Sequence, residues 1–162
     1  MAANVSDFLV SLGKALEGIC AINKIWIHQA AEGKSTDTAA YVVLRVYGGP
    51  SPEDRQQAGG VQQISIQAMA TGQVPSETLS LAAAVYDGLF FDDDDNGGER
   101  MLRYDWDIEG YKLVNGAAVA SGDTWRIVLI DIAQPAGLLG RDEQTGKNSA
   151  SFNFDVRFYL NA

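Results

Sequence analysis

SFNFDVRFYL, residues 151–160, sets Phe152, Phe154, Val156, Phe158 and Leu160 on one side of a period-two alternation and Asn153, Asp155, Arg157 and Tyr159 on the other. Successive side chains of a strand point to opposite faces, so the stretch predicts a strand with an apolar and a polar face. It is the clearest strand in the chain, and its apolar face needs a cover. Weaker versions of the pattern lie upstream. VQQISIQAMA, residues 61–70, puts Ile64, Ile66 and Ala68 on one side; AYVVLRVY, residues 40–47, does so with Val42, Leu44 and Val46; KIWIH, residues 24–28, reads as a further strand.

MLRYDWDI, residues 101–108, sets Tyr104, Trp106 and Ile108 against Asp105, Asp107 and Glu109, which predicts a strand with one acidic face. Lys112–Val114 and Ala117–Ala120 around Asn115-Gly116 predict a small hairpin with a tight turn. WRIVLIDI, residues 125–132, is nearly continuous in apolar residues and predicts a central strand buried on both faces.

Two stretches have helical spacing. After Ser6 as N-cap, Phe8, Leu12, Leu16 and Ile19 recur on one face; after Ser76 as N-cap, Leu79, Ala82, Ala83, Tyr86 and Leu89 do the same, with alanines small enough for close packing on a sheet. Residues 48–60 and 134–150 are rich in Gly and Pro without apolar period, and predict two long loops. Such loops are commonly functional. The prediction is one α+β domain over residues 1–162: a mainly antiparallel sheet packed by two helices, with two long loops.

With 46% hydrophobic and 20% charged residues the chain reads as globular. It contains no apolar run of membrane-spanning length, and its start lacks the pattern of a secretion signal, so the glycosylation triplet Asn4-Val5-Ser6 carries little weight. The single Cys20 excludes an intramolecular disulfide and fits a reducing cytoplasm. A net charge of −9 with scattered cations disfavours tight binding to a phosphate backbone, yet suits a surface that nucleic acid must pass without sticking.

The chemical motifs fail at specific positions. In FFDDDDNGGER, residues 90–100, Asp92, Asp94, Asn96 and Gly97 match the opening of a calcium loop, but the twelfth position, which needs a bidentate glutamate, is Arg103. GLLGRDEQTGKNS resembles a phosphate loop, but Arg141 stands where the first glycine belongs and Asn148 where the hydroxyl belongs. Asp105, Asp107 and Glu109 have no histidine near them in sequence to complete a metal site. His28, the only histidine, would have to serve any nucleophilic catalysis, and no G-x-S-x-G accompanies it. No catalytic, cofactor-binding or metal-binding residue is assigned.

Four features together resemble the tail terminator, or tail completion, proteins of long-tailed bacteriophages. They are the opening helix DFLVSLGKALEGI, the strand YVVLRVYGG before a Pro/Gly-rich loop, the strand-to-helix passage VQQISIQAMATGQVPSETLSLAAAVYDGLF, and the ending PAGLLGRDEQTGKNSASFNFDVRFYLN. The resemblance covers most of the chain and lies in the order of elements more than in invariant residues. It implies a structural virion protein, made in the host cytoplasm, without cofactor or membrane. It further implies a homo-oligomeric ring, usually a hexamer, that caps the tail tube, meets the tube protein and the head-tail connector, and lets DNA pass through its channel.

A ring needs heterologous interfaces. Pro50 and Pro52 in the early loop and Leu138, Leu139 and Arg141 in the late one are the interface candidates. Asp92, Asp93, Asp94, Asp95, Asp105, Asp107 and Glu109 either line the channel, where they would repel phosphates, or keep an outer surface soluble. Other readings are a different neck, connector or tail-tube ring subunit, a calcium-binding interaction module built on Asp92, Asp94 and Asn96, and a host enzyme dependent on His28.

Overall fold

The computed structural model describes residues 5–20, 25–27, 40–48, 60–141 and 146–161. Helix α1 (Val5–Cys20) precedes strands β1 (Ile25–Ile27), β2 (Tyr41–Gly48) and β3 (Gln62–Gly72); helix α2 (Pro75–Gly88) follows. A short pair, β4 (Phe90–Asp93) and β5 (Glu99–Leu102), leads to the long strands β6 (Tyr104–Val114), β7 (Ala117–Arg141) and β8 (Asn148–Asn161). Six strands form one sheet in the order β1-β2-β3-β8-β7-β6, and β4 and β5 form a second, two-stranded sheet. Among the described residues, only the β1–β2 contact is parallel. This is the expected α+β architecture.

The opening stretch is the middle of it. β8 runs between β3 and β7, and Phe152, Phe154, Val156 and Phe158 are fully buried under the helices. Phe8 of α1 stacks on Phe158 with ring centroids 3.7 Å apart, and Trp125 of β7 meets Phe8 edge-on at 5.4 Å. On α2, Ala82 and Val85 let the helix approach the sheet, where Tyr86 stands edge-on to Phe152 at 5.4 Å. Burying one such large apolar side chain contributes roughly 1.5–3 kcal/mol, so this aromatic layer is a major stabilising element.

The opposite face of the sheet is polar in its middle rows, with Val43 and Met69 toward one end and the exposed Leu129 opposite Arg157 toward the other. In successive rows across the strands, Arg45, Gln67, Asn153 and Gln134 are register partners, then Ser65, Asp155 and Asp131, then Gln63 and Arg157. They are tied laterally, with Ser65 Oγ donating to Asp155 at 2.6 Å, Arg157 Nε to Gln63 at 3.0 Å and Asn153 Nδ2 to Gln134 at 3.1 Å.

Several local expectations need correction. Residues 134–141 are not loop: β7 continues through them, with Leu138 opposite Ala150 and Arg141 opposite Asn148, and β8 already begins at Asn148. Register shifts between Ile132 and Gln134, Gln134 and Gly137, and Leu138 and Gly140 carry the strand past its proline and glycines, which is how a ladder tolerates residues that break alternation. β7 is also not buried on both faces: Trp125, Ile127 and Ile130 are buried, whereas Leu129 and Asp131 are exposed.

Ser76 does not cap α2. Val74 occupies that position without a side-chain cap and Pro75 opens the helix, where its missing N–H costs nothing. The buried residues of α2 are Thr78, Ala82, Val85 and Gly88, followed by the buried C-cap Leu89, and Leu79 is exposed; on α1, Ile19 is exposed and Ser6 lies inside the helix Val5–Cys20. The early loop, apart from Gly48 at the end of β2 and Gly60, lies outside the described residues, as does His28.

Candidate functional site

The aspartate run is a structured hairpin rather than an open loop. β4 carries Phe90 to Asp93, a single 3₁₀ turn holds Asp94 to Asn96, and β5 returns from Glu99. Gly97 and Gly98 have φ of 81° and 77°, which residues with a Cβ avoid, and the Gly98 N–H closes the turn on the Asp93 carbonyl at 2.8 Å. Asp92, Asp94 and Asp95 are exposed, but Asp93 is buried and partnered. The four aspartates are thus not one acidic surface.

Arginines fasten the hairpin to the body. Arg103 Nε donates to the Gly88 carbonyl at 2.8 Å while its guanidinium lies 4.9 Å from the Trp106 ring centroid; burial pushes its pKa down, and the nearby Cys20 opposes that. Arg100 pairs with Asp87 and lies over the Phe90 ring. Position 103 is where a calcium loop would need its bidentate glutamate, and here it holds a helix end. Among the described residues no three carboxylate, imidazole or thiol groups gather to hold a metal.

Asp105, Asp107 and Glu109 are all exposed on β6. Asp107 accepts from Arg126 Nη1 at 3.1 and 3.0 Å through its two oxygens, and Asp105 lies 3.8 Å from the same guanidinium. The hydrogen bond to Asp107 is the main reason the Arg126 pKa is raised. Asp105 has φ 45°, a left-handed conformation that aspartate tolerates better than most residues. Phe91, Arg103, Tyr104, Asp105, Trp106 and Asp107 line a shallow cavity of about 150 Å³ where the acidic hairpin meets β6. Asp105 and Asp107 therefore share a cation, the exposed Glu109 accepts from the Tyr111 hydroxyl at 3.3 Å, and Asp92, Asp94 and Asp95 face solvent.

This chain shares its fold with a virion subunit. A chain of the solved structure described as the virion of a native gene transfer agent particle superposes with a TM-score of 0.54, covering 98% of each chain at 14% identity. No family of known sequences matches, and no curated protein does.

Of the interface candidates, Arg141 is exposed at the end of β7, Leu138 and Leu139 lie in the same strand with side chains outside the description, and Pro50 and Pro52 lie outside the described residues. Sequence reasoning missed a more conspicuous surface. β6 and β7 project as a ribbon around Asn115-Gly116, and Leu113, Val114 and Val119 on it are exposed by 51%, 43% and 45%. The available signal was the run of residues 110–122, which holds Lys112 and no carboxylate in a chain rich in them.

Proposed function

We propose that this chain is a structural subunit of a phage-like virion, and that it forms a ring closing the tail tube, with the connector on its other side. The observation that carries the reading is the end-to-end fold match to a virion chain. The resemblance of its element order to tail terminators narrows the position within the particle, and the charge balance agrees with it: a net −9 lets DNA pass without adhering. In this reading the exposed Asp92, Asp94, Asp95 and Glu109 face the channel, while Asp93 and the Arg126-bound pair serve the structure. The work is assembly rather than catalysis.

The test is the mass of the purified protein by light scattering, with negative-stain imaging, alone and with tube subunits. A closed ring, or a monomer that becomes a ring on tube ends and stops their growth, supports the reading. Long stacks of rings from the protein alone would make it a tube subunit instead, and a monomer that ignores tube ends would overturn it.

A further inference from the structure

Among the described residues, the tip of the β6–β7 ribbon runs past the end of β8. β8 ends its pairing with β7 at Thr124↔Asn161, so among the described residues the strand pairing of 111–120 stays within the ribbon, and an isolated two-stranded ribbon is marginal in water. Its root is nevertheless fixed. Ser11 Oγ of α1 accepts the Tyr111 N–H at 2.8 Å and donates to the Asp7 carbonyl at 2.8 Å.

Register partners share a face, so Lys112, Val114, Ala117 and Val119 form one side of the ribbon. It is an exposed apolar strip with one positive charge, on a chain whose net charge is −9. A complementary surface exists on the same molecule. Among the described residues, Ala40, Ser76, Glu77, Ser80 and Leu81 line an open groove of about 440 Å³, with two apolar side chains, two hydroxyls and one carboxylate, and Val74 and Leu79 are exposed close by in sequence.

The ribbon cannot reach its own groove. Ala40 enters β2, which lies four strand spacings from β6, or about 19 Å across the sheet. We infer that the ribbon at residues 111–120 docks into the groove beside α2 of a second copy of this chain, with Lys112 meeting Glu77. Such a contact joins two different patches, and it builds a ring where the repeated rotation returns to the first copy. The inference rests on the ring reading above and supplies its interface.

The test is light scattering of the full chain and of Val114→Glu/Val119→Glu, with ring counts on tube ends by negative stain and melting curves to confirm folding. The expected result is an unchanged melting temperature with loss of self-association in solution and on tube ends. Lys112→Glu alone should weaken association at least about tenfold, the equivalent of one lost ion pair at ~1.4 kcal/mol, and adding Glu77→Lys should restore it. Undiminished association of the Val114/Val119 variant would overturn the inference and leave the ring reading intact, as would failure of the charge swap. Association through the ribbon without any binding to tube ends would overturn the ring reading and leave the inference standing. A wild-type chain that never associates would overturn both.

Discussion

Phe8 and Phe158 are distant in sequence and stacked in space, each with no accessible surface. Phe158→Ala should therefore cost about 3–5 kcal/mol, read as a lower urea midpoint, because the cavity lies where a helix and two strands cannot collapse together. Ser11 is the polar counterpart: its hydroxyl is buried and meets the Tyr111 N–H, so Ser11→Ala leaves that donor unsatisfied at a cost of about 1–3 kcal/mol. Near-neutral stability of Ser11→Ala would show that the ribbon root is held by other contacts. Burial pushes the Cys20 thiol pKa up, while its Sγ donates to the Ala84 carbonyl at 3.3 Å. In the unfolded chain the thiol ionises at lower pH than in the folded one. Its contribution to stability is thus complete at low pH and lost as pH rises above the ordinary thiol range. Alkylation by iodoacetamide at pH 8 should be at least about tenfold slower in the folded protein than in urea. Equal rates would mean an exposed thiolate.

Elements differ in how far the sequence discloses them. β8 and β3 are legible to within a few residues, because period two with phenylalanine or isoleucine on one side admits no other reading. The Asn115-Gly116 turn is equally plain, and both residues have the positive φ, 51° and 79°, that such a turn demands. Gly116→Val should accordingly cost about 1 kcal/mol or more and deprotect the amides of 117–120 in hydrogen exchange before those of β8. β7 is illegible past Gln134, since its pairing is enforced by β8 and not by its own Pro135, Gly137 and Gly140. The face of α2 is misread for a related reason: the spacing of Leu79 looks apolar, but the sheet selects Thr78 and Val85. The aspartate run shows its charge in sequence and hides its geometry, because nothing local says that Asp93 turns inward or that Arg126 claims Asp107 from another strand.

At the scale of the whole molecule, charge and assembly meet. If Asp92, Asp94 and Asp95 face a channel, converting all three to Asn should leave ring formation unchanged and increase retardation of duplex DNA by the ring at low salt, an effect that fades as salt rises. Unchanged retardation at low salt would put the acidic hairpin on the outer wall. The sheet order carries a different consequence, which concerns time rather than place. β8 completes the sheet by joining β3 to β7, and Arg157 reaches Gln63 across 94 positions of sequence. Until it arrives, β1-β2-β3 and β6-β7 are two fragments, each offering a bare edge to any strand of suitable pattern. Closure over so long a loop is slow, in the millisecond-to-second range typical of non-local β topologies, and the strand that arrives need not come from the same chain. Refolding yield should fall as protein concentration rises, with strand-exchanged dimers as the by-product, so that a protein whose purpose is ordered association must first avoid a disordered kind.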